Sequence, residues 1–177
     1  MINDYLLRGD RVAIRSLRRD DQDEFTRLAQ ENAEVHHPWL APPRTDAEFD
    51  AYMTRLEEPV REGFAICLPD TGAMAGYVTI NNIVQGAFRC GALGYGGFAH
   101  GRGLVTEGVG LVVRYAFGPL GLHRLEINAQ PANVKSIAVA KRLGFRLEGL
   151  SPDFLFIDGA WRDHERWAIT AEMLDAA

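Results

Sequence analysis

The chain has 177 residues, 47% of them hydrophobic and 24% charged, which suits one globular domain with a full core. A formal net charge of −5 argues against a nucleic-acid binder, which would carry a basic surplus. No basic-plus-apolar stretch opens the chain and no apolar run approaches the ~18 residues of a membrane span, so a cytoplasmic protein without membrane contact is expected.

Arg11–Leu17 sets Val12 and Ile14 on one side of an alternating pattern and reads as a short strand. Asp20 is placed to cap a helix, and Asp21, Asp23 and Glu24 crowd a first turn where the helix dipole favours anions. Phe25, Leu28 and Ala29 give that helix its apolar face. Residues 36–43, His-His-Pro-Trp-Leu-Ala-Pro-Pro, must be irregular because prolines exclude a regular helix. Thr45 and Glu48 have capping-box spacing ahead of Phe49, Tyr52, Met53 and Leu56, and Pro59 lies just beyond the expected helix end. Phe64–Leu68 and Ala75–Ile83 read as strands joined by the turn Pro69–Gly72, and Gly86 turns the chain into a strand beginning near Phe88. Cys67 and Cys90 sit in these apolar segments and read as buried reduced thiols rather than as a disulfide or a nucleophile. The five histidines lack metal-ligand spacing, and the adjacent His36 and His37 cannot face one ion as an i, i+4 pair would, so no metal is expected.

A strand ending near Phe98 runs into His100-Gly101-Arg102-Gly103, and a helix follows from about Thr106 to Phe117. Val105, Val109, Val112 and Ala116 share one face of it, which is core packing. The next strand is Leu122–Asn128. Pro131-Ala132-Asn133 then leads into a second helix, with Ile137 and Ala140 on its inner face and Gly144 as its left-handed stop. Phe145–Glu148, Phe154–Ile157 and Trp161–Ala171 are strand-like, and Asp158-Gly159 is a hairpin signal. Helices interleaved with strands predict an α/β fold with a mixed sheet, and the lack of repeats or linkers predicts a single domain over residues 1–177.

The glycine turn is the informative stretch. Glycines let a backbone turn sharply and let a ligand approach closely, and the helix behind them offers free N–H groups to an anion such as pyrophosphate. Two familiar phosphate motifs fail. In G-x-G-x-x-G, Ala99 takes the third glycine's place when counting from Gly94, and Thr106 takes it when counting from Gly101. In the nucleotide P-loop, Gly96 and Gly101 have the spacing but Arg102-Gly103 follow. What remains is a turn with one basic residue, a helix, a strand, and Asn-x-x-Ser on a second helix.

This combination resembles the GNAT superfamily of acetyl-CoA-dependent N-acetyltransferases. Within it the chain looks like the RimJ/RimL branch, the ribosomal-protein N-terminal alanine/serine acetyltransferases. The likeness spans nearly the whole chain: Arg11–Arg15, His37-Pro-Trp39, Asn82–Phe88, Leu93-Gly-Tyr95, Gly101-Arg-Gly103 with Glu107, His123-Arg124, Asn133, Ser136, Leu143-Gly-Phe145 and Ile157–His164. It implies a mixed, mostly antiparallel sheet of about seven strands flanked by about four helices. It departs from the pattern at His100, where Gln or Arg is usual, and at Val105, where a small residue is usual. The loop from Tyr95 to His100 is also about two residues shorter than in that family.

The resemblance implies acetyl transfer from acetyl-CoA to a primary amine, foremost the α-amino group of a protein or peptide. A small amine such as an antibiotic or polyamine is the alternative acceptor, and a non-catalytic acyl-CoA-binding module the alternative class; a homodimer is left open. Its cofactor contacts fall on Gly97, Phe98, His100, Gly101, Arg102, Gly103, Leu104, Val105, Thr106 and Asn133. Arg102 reads equally well as solvated, and Asn133 also as a helix cap. A strand-end N–H near Gly97–Phe98 would stabilise the oxyanion. Many family members protonate the departing thiolate with a tyrosine seven residues after the asparagine; here that position is Ala140, and Ser136 is the substitute, the alternative being a helix-start hydroxyl that bonds the backbone. Acceptor specificity is expected in the loops around Trp39, Asn82 and Asp153. Glu126 or Asp153 is a candidate base, Glu107 is read as a first-turn anion, and Asp163-His164 as structural because neighbours in a strand face opposite sides.

Overall fold

The computed structural model describes residues 4–176. Its strands are β1 (Leu7–Arg8), β2 (Ala13–Ser16), β3 (Glu62–Cys67), β4 (Met74–Val84), β5 (Cys90–Gly97), β6 (Arg124–Ala129), β7 (Arg146–Ile157) and β8 (Ala160–Thr170). Its helices are α1 (Gln22–Glu31), α2 (Ala33–His36), α3 (Asp46–Leu56), α4 (Leu104–Phe117), α5 (Val134–Arg142) and α6 (Ala171–Asp175). The strands form one eight-stranded sheet in the order β1-β2-β3-β4-β5-β6-β8-β7. Every neighbouring pair is antiparallel except β5 and β6.

Side-chain period decides the layers. On one face Ile14, Ile66, Val78, Leu125 and Ile169 of the strands meet Val109, Val112 and Ala116 of α4 and Ala140 of α5. On the other face Ala65, Cys67, Met74 and Tyr77 meet Phe25 and Ala29 of α1 and Phe49 and Met53 of α3. Helix α4 comes close to the sheet because Gly108 has no side chain: a Cβ there would lie 2.5 Å from Ile66 Cδ1. Both cysteines are buried and unpaired.

The predicted elements recur with particular shifts. Thr45 and Glu48 close the expected capping box on α3. Asp20 does not cap α1. Asp21 precedes that helix, and its carboxylate turns inward to Arg15 at 2.7 and 2.8 Å and to the Arg18 amide at 2.7 Å. Phe88 is an exposed turn residue rather than a strand start, because Arg89 at φ +43° breaks the extended backbone before Cys90. The two strands expected over 145–157 are one, β7, interrupted by register shifts at Leu147/Gly149 and Ser151/Leu155. Helix α4 begins at Leu104, two residues before Thr106, with left-handed Gly103 as its cap. Strand β1 and the four- and five-residue helices α2 and α6 are too short to show a period.

Candidate active site

The parallel pair opens the site. β5 matches β6 only at Cys90, Gly91 and Ala92, against Arg124, Leu125 and Glu126. β5 runs on to Gly97 and β6 to Ala129 without further pairing, so the strands part and leave a wedge. The Phe98 amide donates to the Ala75 carbonyl at 2.9 Å, and the register sets Gly97 opposite Gly76 and Gly96 opposite Tyr77. Hydrogen-bonded pairs alternate along an antiparallel ladder. Gly96 and Gly94 therefore turn their amides to β4, while Gly97 and Tyr95 turn theirs into the wedge. A ligand with an extended, amide-bearing arm can pair there as an added strand would.

Helix α5 begins across the wedge from Tyr95. Its cap is Asn133, whose side-chain oxygen accepts the Ser136 amide at 3.3 Å. The Ser136 hydroxyl does not bond the backbone; it lies 2.7 Å from the phenol of Tyr95. Burial pushes the Tyr95 phenol up to about 12, and the bond to Ser136 works the other way. At the end of β5, buried His36 puts Nε2 2.9 Å from the Gly97 carbonyl oxygen. Burial drives the His36 imidazole below its ordinary value; the Gly97 bond opposes this and His100 adds to it.

The glycine turn leads to α4. Gly101 and Gly103 both have left-handed backbones, at φ +75° and +68°, a region where side chains are strained. Arg11 reaches the turn from the β1–β2 connection. It donates Nη1 to the Arg102 carbonyl and Nη2 to the Gly103 carbonyl, and binds Glu107 through Nε at 2.8 Å. An open cleft of about 710 Å³ starts at this turn and continues between α4 and the end of α5, lined by Gly103, Thr106, Gly110, Leu143 and the guanidinium-bearing Arg11, Arg114 and Arg142.

The family model for the acetyltransferase (GNAT) domain matches residues 11–146. The chain belongs to the GNAT acetyltransferase family. The [ribosomal protein uS5]-alanine N-acetyltransferase of Escherichia coli is 34% identical, across 93% of this chain and 90% of that one. RimJ of Mycobacterium smegmatis, solved in complex with CoA-disulfide, superposes with a TM-score of 0.85 at 31% identity, over 92% of this chain and 83% of that one. The spermidine N(1)-acetyltransferase of E. coli is 27% identical, over 89% of this chain and 85% of that one. This protein is thus an acetyl-CoA-dependent acetyltransferase of RimJ/RimL type.

In this acetyltransferase the residues singled out from sequence separate into two groups. Gly97, Gly101, Arg102, Gly103, Thr106, Asn133 and Ser136 lie along the wedge, the turn and the cleft. The side chains of Phe98, Leu104 and His100 turn to the protein instead. Phe98 spends its amide on Ala75, and its ring packs on Phe25 at 5.3 Å and Tyr77 at 5.7 Å. Leu104 is 1% exposed, in the core. His100 turns to Asn32, with Nε2 2.6 Å from its side-chain oxygen. Val105 sits beneath the strand end, its Cγ2 2.8 Å from where a Cβ on Gly97 would be. The bulk of Val105 is accommodated because residue 97 carries no side chain.

Trp39, Asn82 and Asp153 come from three separate segments: the loop after α2, β4 and β7. The loop carrying Trp39 reaches the β7–β8 turn, where His37 Nε2 is 3.6 Å from Asp158. Asp153 lies in the β7 irregularity at φ +47°, its amide on Asp163 Oδ1 at 2.9 Å. Asn82 is six residues along β4 from Gly76, roughly 20 Å from Gly97 at the rise of a strand. It therefore stands level with the paired, closed end of the wedge. Glu126 is a poor base. Burial raises its carboxyl, but Arg166 at 2.6 Å and Arg124 at 2.9 Å outweigh that and hold it below the usual carboxylate range. Asp163 and buried His164 serve the hairpin, the latter bonded to the Arg162 carbonyl at 2.9 Å. No group of three or more His, Cys, Asp or Glu among the described residues is arranged to hold a metal ion, and no helix is long and apolar enough to cross a membrane.

Sequence reading missed Tyr95, His36, Arg11, Arg114 and Arg142. Arg11 and Tyr95 lay inside the resemblance without a role, and the others carry no local signal. The glycine turn was the available pointer, since anything bracing it is a candidate.

Proposed function

We propose that this acetyltransferase modifies the α-amino group of a protein or peptide, with Ser136 meeting the departing thiolate. The observation that carries the reading is the Ser136 hydroxyl, free of any backbone bond and held 2.7 Å from Tyr95 across the open wedge. The α-amino group titrates near ~8, so a useful share is neutral at pH 7 and attacks without a strong base. The Gly97 amide, turned into the wedge, donates to the carbonyl oxygen as negative charge gathers there. Ser136 donates its hydroxyl hydrogen toward sulfur as the C–S bond breaks, and the proton lost by the amine passes to water. Arg11, Arg114 and Arg142 and the α4 amides suit the phosphates of CoA along the cleft.

The spermidine relative keeps a polyamine acceptor as the second reading. A polycation needs unpaired carboxylates, and here Glu126 and Glu148 are neutralised by Arg124, Arg166 and Arg146. That favours an acceptor with a single amine. Thiol release from acetyl-CoA is to be measured with Ala- and Ser-starting peptides, the same peptides blocked at the N-terminus, and spermidine. The free peptides should react at least tenfold faster in kcat/KM than spermidine, and the blocked ones should not react. A preference for spermidine would establish the polyamine reading, and acetyl-CoA binding without thiol release from any of them would mean a binding module.

A further inference from the structure

We propose that Tyr95 is a positioning residue that sets the direction of the Ser136 hydroxyl hydrogen. This rests on the role given to Ser136 above. Two hydroxyls 2.7 Å apart share one hydrogen bond, and either oxygen is able to donate it. The phenol is the more acidic and so the better donor, and the aliphatic hydroxyl is the better acceptor. The alternative partner of the phenol, the Ser136 carbonyl oxygen, is farther, at 3.4 Å. Tyr95 therefore donates to Ser136 Oγ. That leaves the single Ser136 hydrogen unspent, and with its oxygen already accepting, it turns away from Tyr95 into the wedge. The reverse arrangement would consume the hydrogen and leave the phenol with only the long carbonyl contact.

Without the phenol, the Ser136 hydroxyl is free to rotate and to bond a carbonyl one turn back, as serines in first turns do. The hydrogen would then be absent where charge develops on sulfur. The bound thioester carries no such charge, so the loss should appear in turnover and not in acetyl-CoA affinity. Tyr95 gains and loses no proton in this account.

The test is a cycle of Tyr95→Phe, Ser136→Ala and the double variant, with kcat and the acetyl-CoA dissociation constant measured for each. Tyr95→Phe is expected to lower kcat about tenfold, to leave the dissociation constant within about twofold, and to have no effect once Ser136 is alanine. Wild-type kcat in Tyr95→Phe beside a slow Ser136→Ala would overturn the positioning role and spare Ser136. Wild-type kcat in Ser136→Ala would overturn the role of Ser136 and this inference with it. Independent, multiplying losses would show that Tyr95 acts through the fold alone. If Tyr95→Phe does not fold, fluorotyrosine at position 95 keeps the ring and the hydroxyl but ionises at lower pH. Its phenolate cannot donate, so kcat should gain an alkaline decline absent from wild type; an unchanged profile overturns the proposal.

Discussion

Arg11 and Glu107, 96 residues apart in the chain, meet at 2.8 Å and fix the glycine turn between them. Glu107 Oε1 also accepts the Arg11 amide at 2.8 Å and the Val12 amide at 3.3 Å, so the first turn of α4 is tied to the β1–β2 connection. The guanidinium then binds the Arg102 and Gly103 carbonyls, which leaves the amides of the turn to face outward. Glu107 is thus more than the dipole-complementing anion expected from sequence. Glu107→Ala should cost about 1–3 kcal/mol, since Val12 is fully buried and its amide loses its acceptor. Glu107→Gln keeps an acceptor for the amides but weakens the hold on Arg11. It should melt closer to wild type and yet bind acetyl-CoA several-fold less tightly. Titration calorimetry showing wild-type affinity for Glu107→Gln would mean that the turn needs no brace.

Val105 and Gly97 should behave as a pair. The backbone of Gly97 is not left-handed, so alanine is conformationally allowed there, but its Cβ would lie 2.8 Å from Val105 Cγ2. Gly97→Ala is expected to push the end of β5 out of line and lower kcat/KM by tenfold or more, because the Gly97 amide is the proposed oxyanion donor. Val105→Ala removes the obstructing methyls and should restore part of that loss when combined with Gly97→Ala. Additive defects in the double variant would place the fault of Gly97→Ala elsewhere than at Val105.

The fold was legible where periodicity is long. The α4 stripe of Val109, Val112 and Ala116 and the capping box of α3 need no tertiary information, and both recur in the structure. The turn and Asn133 were legible because they are local. What local pattern cannot carry is register. That β5 and β6 part after Ala92, that Tyr95 reaches Ser136, and that His36 reaches Gly97 all follow from how distant strands and helices dock. The inward packing of the Phe98 ring was hidden for the same reason: a large apolar residue beside a glycine turn reads alike whether it points outward or to the core. How far Asn82 lies from Gly97 likewise follows only from the strand register.

Acid should destabilise the protein in two stages. His36 is buried as the neutral base, with an imidazole depressed below the ordinary ~6.5. The unfolded chain takes up that proton first, so the stability His36 contributes is complete above ~6.5 and declines as pH falls toward its folded value. The carboxylates follow. Contacts with Arg124 and then Arg146 hold Glu148 at about 2, and Glu107 and Glu126 also sit below the usual range. Their share is complete above ~4.3 and is lost as pH drops through their folded values. Melting temperatures from pH 3 to pH 8 should therefore slope down below ~6.5 and more steeply below ~4.3. His36→Gln should abolish the first slope and keep the second. An unchanged profile in that variant would mean that His36 titrates alike in both states.

Asn133 and Ser136 lie three residues apart at the start of α5, and their alanine variants should fail in opposite ways. Asn133 caps the helix through its side-chain oxygen, so Asn133→Ala should cost about 1 kcal/mol of stability. That is a fall of a few degrees in melting temperature for a chain of this size. The Ser136 hydroxyl caps nothing. Its partner is the Tyr95 phenol, so Ser136→Ala leaves that partly buried phenol with only the 3.4 Å contact to the Ser136 carbonyl. The stability cost should be small, because alanine is the better helix former and offsets part of the lost bond. Turnover should fall about ten- to a hundredfold, the lower figure applying where water replaces the hydroxyl as donor to the thiolate. Acetyl-CoA affinity should hold in Ser136→Ala, since the charge that Ser136 meets arises only as the C–S bond breaks. Melting curves, kcat and acetyl-CoA dissociation constants for both variants separate the two roles. If Ser136→Ala melts early and turns over at the wild-type rate, the hydroxyl is structural and the thiolate must take its hydrogen bond from water or from Tyr95 directly.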